Sequence, residues 1–128
     1  MAAPLLFDTD ILVEYLRGRP AAVSFVEERK ERLLVSAVTI AELWAGVRGK
    51  EEETALEVFL TAFDTVAVDG ETARRGGDLK RRFGPSHGIG LGDALIAASA
   101  LISGGILVTF NRKHFPMLPR VLVPYKRR

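Results

Sequence analysis

The chain has no cysteine among its 128 residues, so disulfides, thiolate nucleophiles and cysteine-based zinc sites are excluded. Cytoplasmic residence is compatible with that absence. The chain also lacks room for a second domain. At this length, residues 1–128 are expected to form a single domain that buries a proper core without disulfide or metal staples. The start, MAAPLLFDTD, has no basic region, and its apolar run is too short for a signal peptide. No uninterrupted hydrophobic run of membrane-span length is present. Ala94 to Asn111 carries no charge, but Gly104-Gly105 divides it and ILVTF beyond has a strand composition. A buried helix, a turn and a buried strand are expected there, with no membrane association. Repeats, linkers and low-complexity tracts are absent. Excess charge is slight: the formal net charge of +2 says little about nucleic-acid binding by itself.

What the chain does have is order. Apolar residues make up 48% of it, an ordinary fraction for a soluble globular protein. Short apolar runs at Leu5–Phe7, Leu33–Ser36, Thr65–Val68, Ile106–Thr109 and Val121–Val123 read as strands. Between them lie helical patterns at Ile11–Arg17, Ala21–Arg32, Thr39–Val47, Glu51–Phe63, Gly70–Phe83 and Asp93–Ser103. Leu56, Phe59, Leu60 and Phe63 follow the spacing of one helix face. Gly76-Gly77 marks a weakened or closely packed place in the Gly70–Phe83 helix. Gly84–Gly92, with four glycines and a proline, is expected to be a loop. The Asp93–Ser103 helix is nearly all apolar and should be buried. Strands alternating with helices imply a four- to five-stranded parallel sheet covered on both faces, a three-layer α/β/α sandwich.

Three acidic residues fall where a strand is expected to hand over to a helix: Asp8 in LLFDTDILVEYL, Glu42 in VTIAELWAGV and Asp93 in GIGLGDALIAAS. In an open parallel sheet, ligands bind in the crevice at the carboxyl ends of the strands. Carboxylates gathered there repel, at roughly 4 kcal/mol per pair at ~4 Å and an effective dielectric of ~20. Either their pKa values rise or a cation sits among them, and oxygen-rich sites suit Mg²⁺ or Mn²⁺. Each acid also has a purely structural reading. Asp10 suits the N-cap of the first helix, and Asp8 could take part in an Asx turn. Thr39-x-x-Glu42 has the form of a capping box. Asp93 could serve the helix dipole, although an acid heading a buried helix is costly unless something binds it. Basic residues cluster at Arg74, Arg75, Lys80, Arg81 and Arg82, at Arg112, Lys113 and His114, and at Lys126, Arg127 and Arg128. A basic rim around an acidic centre is what phosphodiester cleavage would need; solvated faces are the bland alternative. Trp44, two residues from Glu42, favours packing in the core or a dimer interface over base stacking.

The segments DTDILVEYLRG, SAVTIAELWAG, GIGLGDALIAASAL and ILVTFNRKHF together resemble PIN-domain ribonucleases of the VapC-like toxin group, in order, spacing and hydrophobic context. The resemblance covers nearly the whole chain. It implies a metal-dependent endoribonuclease in which Asp8, Glu42 and Asp93 hold Mg²⁺, with Mn²⁺ as a substitute. It also implies supporting roles for Thr9, Asp10 and Thr109, an RNA substrate cut to a 3′-hydroxyl and a 5′-phosphate, a VapB-like antitoxin partner and a homodimer. The chain departs from the pattern after the fourth strand. Many relatives carry an acid there, whereas this chain has Asn111 and His114 in Thr109-Phe110-Asn111-Arg112-Lys113-His114. Asn111 is then expected to hold a water or the scissile phosphate and Arg112 and Lys113 to contact RNA, while His114 stays open between an RNA contact, a weak ligand and a surface residue. His87 is expected to be solvated. The departure motivates a rival reading, a degenerate PIN domain that binds RNA or a partner without cutting. Two lesser rivals are a haloacid-dehalogenase-type phosphatase, which needs a lysine and a second acidic pair, and a phospho-receiver domain with Asp69 as acceptor.

Overall fold

A computed structural model describes residues 2–127. Arg128, one of the basic residues of the carboxyl-terminal cluster, lies outside them. The chain alternates strand and helix as its patterning requires: β1 (Leu5–Phe7), α1 (Thr9–Leu16), α2 (Pro20–Glu27), β2 (Leu33–Ser36), α3 (Ala37–Ala45), α4 (Gly49–Leu60), β3 (Asp64–Val66), α5 (Gly70–His87), α6 (Leu91–Ser103), β4 (Ile106–Val108) and β5 (Val121–Leu122). A single 3₁₀ turn, Arg112–His114, separates the last two strands. All strand pairs are parallel, in the order β3-β2-β1-β4-β5. The expected sandwich is therefore present with five strands. Among the described residues, no helix is long and apolar enough to cross a membrane. The charge-free stretch from Ala94 resolves into α6, a left-handed turn at Gly104 (φ 73°) and β4.

Side-chain alternation along β1 builds two cores. Leu5 and Phe7 face one layer with Ile11, Leu12, Val26, Leu43, Leu56 and Phe63; Leu6 faces the other with Ile96, Ala97, Ala100 and Phe115. On the second face, α6 buries Ala94, Ala97, Ala98 and Ala100, small residues that let it lie close to its neighbours. It packs most extensively against α5. The join depends on Gly76, where an added Cβ would come within 3.2 Å of the Leu95 Cα and collide with the Leu95 side chain. Nothing lies within 4 Å of the same position at Gly77.

Three sequence expectations fail, each at a helix end. The side chain capping α1 is Asp8, which accepts from the Thr9 amide; Asp10 lies inside the first turn. The side chain capping α3 is Ser36, which accepts from the Val38 amide, so Thr39 and Glu42 do not form a capping box. The region 84–92 is not a loop: α5 runs through Pro85 to His87, stops at Gly88 in the left-handed conformation (φ 65°), and α6 begins at Leu91. Proline is tolerated there because it sits in the last turn, where only one helical hydrogen bond is lost.

Gly77→Ala should raise stability by about 0.5–1 kcal/mol through helix propensity. Gly76→Ala should lower it, because the clash with Leu95 outweighs the same gain. Thermal melts of the two variants check this; equal shifts would show that the α5–α6 contact tolerates a methyl group.

Candidate active site

The strand order reverses between β1 and β4, and the register there places Phe7 opposite Val108. The next residues, Asp8 and Thr109, therefore leave the sheet side by side at the switch point, where open α/β sheets bind ligands. The Asp8 amide donates to the Val108 carbonyl at 2.9 Å. The Thr109 hydroxyl donates to Asp8 Oδ2 at 2.6 Å and itself accepts from the Asn111 amide at 3.0 Å. Asp8 Oδ1 accepts from the Thr9 amide at 2.8 Å. Asp8 is only 6% exposed. Burial, then repulsion from Asp10, pushes its carboxyl up from 3.8 to about 7 against the pull of the Thr109 and Thr9 hydrogen bonds.

The other acids arrive from separate helices. Glu42 projects from α3, and its Oε1 accepts from the Thr9 hydroxyl at 2.6 Å; that hydroxyl lies 3.0 Å from the Thr39 hydroxyl. Its other oxygen approaches the backbone of Gly92, in the first turn of α6. Asp93 occupies that same turn. Asp10 Oδ2 accepts from the Phe110 amide at 3.3 Å, whereas its Oδ1 is buried without a partner. Burial raises the Asp10 carboxyl above its ordinary range.

These groups line one hollow of about 340 Å³ with Val13, Glu14, Arg17, Asn111 and Arg127. The sequence-derived residues Asp8, Thr9, Asp10, Glu42, Asp93 and Asn111 thus come together, and Thr109 stands directly behind Asp8. They do not close on one point. Among the described residues, no three acidic or histidine side chains form a ready metal-holding cluster. Each carboxylate instead has its own partner: Asp8 has Thr109, Glu42 has Thr9, and Asp93 has His114, whose Nδ1 lies 3.5 Å from Asp93 Oδ2. His114, left open by the sequence, stands beside Asp93 with its side chain 44% exposed.

Two expected RNA contacts lie elsewhere. The Arg112 guanidinium donates to the Val121 carbonyl at 3.3 Å and lines a different hollow with Phe115 and Leu122. Lys113 is exposed and does not line the acidic hollow. Trp44 is half-buried against the first core, in keeping with a packing role. His87 is exposed at the end of α5 and pairs with Ser86. Sequence reasoning missed Glu14 and Arg17, which lie four and seven residues after Asp10, on α1 and at its carboxyl cap, a helical spacing that could have found them. Arg127, one of the basic residues of the expected rim, lines the hollow. The topology also removes two rivals. Asp69 caps α5 after β3, an edge strand two places from β1, so it is not beside Asp8 as a receiver acceptor would need to be. No lysine lines the hollow, as the phosphatase chemistry would require.

The raised Asp8 carboxyl has a consequence for stability. Its proton leaves the unfolded chain near 3.8 and the folded chain near 7. The folded state thus binds more protons between those values, and stability falls as pH rises through them, by roughly 4 kcal/mol at most for about three pKa units. In EDTA, Asp8→Asn should melt several degrees above the wild type at pH 8, with the gap closing toward pH 5. A gap of constant size across that range would show that the Asp8 charge is not what strains the fold.

Comparison with known proteins agrees with this geometry. Residues 5–120 match the family profile described as the PIN domain. The chain is 44% identical over 124 residues to Ribonuclease VapC19 of Mycobacterium tuberculosis, covering 94% of this chain and 98% of that one. It is 40% identical to Ribonuclease VapC10 of the same organism, covering 94% and 92%. Among solved structures, a toxin–antitoxin complex from Klebsiella pneumoniae superposes with a TM-score of 0.82 at 28% identity, over 98% of this chain and all of that one. Family profile, relatives and fold agree: this chain belongs to the PIN-domain family, in its VapC-type ribonuclease branch.

Proposed function

We propose that this protein is the toxin of a toxin–antitoxin pair, a Mg²⁺- or Mn²⁺-dependent endoribonuclease. One observation carries the reading: a hollow at the sheet's switch point gathers five carboxylates, among them Asp8 held by Thr109 and Asp10 with a buried, unpartnered oxygen. That oxygen and the all-oxygen donor set around it fit a hard divalent cation. Asp8, Glu42 and Asp93 would hold the ion, with Asp10 adding negative charge beside Asp8. Its chemistry, when bound, is to activate a water and to offset charge developing on the phosphorus oxygens.

The remaining work belongs to the chain. The Thr109 hydroxyl keeps one Asp8 oxygen oriented, and its bond from the Asn111 amide fixes where the Asn111 side chain leaves the backbone. Asn111 then stands at the rim to hold a water or the scissile phosphate. Thr9 orients Glu42 in the same way. A second reading, a domain that binds RNA or a partner without cutting, draws on one observation: His114 stands against Asp93 in the segment where relatives carry an acid.

Cleavage of end-labelled structured RNAs separates the two. We expect cutting with Mg²⁺ or Mn²⁺, none in EDTA, and a loss of at least about a hundredfold in Asp8→Asn and Asp93→Asn. Folded wild-type protein that binds RNA but cuts none of it under any metal would favour the binding-only reading.

The partner assignment has its own support. A groove of about 400 Å³ between α1, α3 and α4, lined by apolar residues and by Arg17, Glu42, Arg48 and Glu52, opens beside the acidic hollow and shares Val13, Arg17 and Glu42 with it. Leu16, 39% exposed, lies on its wall. A VapB-like antitoxin segment seated there would reach the carboxylates directly. Homodimer formation and cytoplasmic residence accompany the toxin reading. Leu16→Glu should leave RNA cleavage intact and abolish neutralisation by the antitoxin; an antitoxin that still inhibits this variant would place its docking elsewhere.

A further inference from the structure

A hollow lined by five carboxylates repels a polyanion, and cations at its mouth must offset that repulsion. Two arginines line it, Arg17 and Arg127. They are held differently. Among the described residues, no side-chain hydrogen bond or ion pair fixes Arg17, whereas Arg127 pairs with Glu14. Arg127 is seated by three groups. Its guanidinium carbon lies 4.3 Å from the centroid of the Phe110 ring. Its Nη1 lies 3.4 Å from Glu14 Oε2. Tyr125 donates to the other Glu14 oxygen at 3.0 Å and meets Phe110 edge to face at 5.2 Å.

The seat is part of the site wall. Phe110 is the residue whose amide holds Asp10, and Asp10 feels the Arg127 charge, which pulls its carboxyl down against the effect of burial. Glu14 is thereby committed to the tail and not to the other carboxylates. The Tyr125 hydroxyl is correspondingly hard to ionise, pushed up to about 12 by burial and by the Glu14 bond.

Arg127 is oriented without being spent. A guanidinium carries five N–H donors in a planar fork that matches phosphate oxygens. One donor here makes a single long contact with Glu14, the side chain is 47% exposed, and among the described residues no hydrogen bond joins it to Asp8, Asp10, Glu42 or Asp93. A plug would be bonded to those acids. A group pinned at the rim with open donors is arranged to receive an anion entering the hollow.

We propose that Arg127 grips a phosphate of the RNA backbone lying across the acidic hollow, and that Glu14, Tyr125 and Phe110 are its positioning residues. The inference rests on the nuclease reading for its ligand. It assigns the last turn of chain a role in substrate binding, and it moves the backbone contact from Arg112 and Lys113 to the tail. Because the gripped phosphate stays charged throughout, the contact serves ground state and transition state alike. Its loss should raise KM and leave kcat nearly unchanged.

The test uses the full chain and single-stranded RNA oligonucleotides. Arg127→Ala should raise KM for cleavage about tenfold or more with kcat within about twofold. Arg127→Lys should recover part of the loss, and Tyr125→Phe should show a smaller rise through a looser seat. In EDTA, on an Asp8→Asn background, Arg127→Ala should reduce the slope of log affinity against log salt by about 0.7, one phosphate contact's worth for a single strand. Circular dichroism melts of each variant confirm folding. An unchanged KM and an unchanged salt slope in folded Arg127→Ala would overturn the proposal. A wild type that cuts no RNA, together with a slope that still drops in Arg127→Ala, would instead uphold the phosphate grip and sink the nuclease reading.

Discussion

Everything at the functional end of this molecule depends on the parallel register of β1 and β4. Pairing Phe7 with Val108 puts Asp8 and Thr109 in neighbouring positions as both chains leave the sheet, and a 2.6 Å hydrogen bond joins them. Slipping that register by one residue would send the side chains into the wrong core and part Asp8 from Thr109. The two hydrophobic cores therefore specify the site. Leu5, Phe7 and Val108 on one face, with Leu6 and Leu107 on the other, lock the pairing, and the pairing delivers the carboxylate.

The same arrangement carries a cost. Asp8 and Asp10 are both buried enough to resist ionisation, and Asp10 has one oxygen with no partner at all. A stability-optimised sequence would place neutral residues there; sites that keep strained charges are where stability is traded for activity. The offsets on view are modest: one threonine hydroxyl, two backbone amides and the Arg127 charge across the hollow. The rest of the fold is conventionally consistent, which is why it can hold such a site open.

Much of this was legible in the residues. Five strands and six helices were placed because each buried strand is a short apolar run and each helix has an apolar face, both local signals. The three acids were recognisable because a carboxylate ending an apolar strand or heading an apolar helix needs a partner that nearby sequence does not provide. The failures are equally local. Asp8, not Asp10, caps α1, and Ser36, not Thr39, caps α3, because each helix begins within one residue of its strand's end; the sequence offers two candidate caps and only the backbone path chooses. Glycines at 84 and 88 and a proline at 85 look like a loop, yet α5 continues through Gly84 and Pro85 to His87 and stops only at Gly88. Arg127 was legible only as part of a basic cluster; its place at the hollow depends on the path of the chain after β5, a tertiary fact with no periodic trace.

The sheet's two margins are short and guarded. β5 is two residues long, and Pro124, two residues past its end, cannot donate to a ladder. β3 is three residues long, with Asp64 exposed and paired to Arg32 at 2.6 Å. Such margins offer an incoming strand few open amides and a charge it would have to desolvate. A parallel sheet is assembled from contacts distant along the chain and stays half-formed for longer than a helical bundle does. For a protein of this design, blunt margins protect the unfinished sheet from joining another copy edge to edge, so that folding proceeds to the monomeric unit without passing into aggregates.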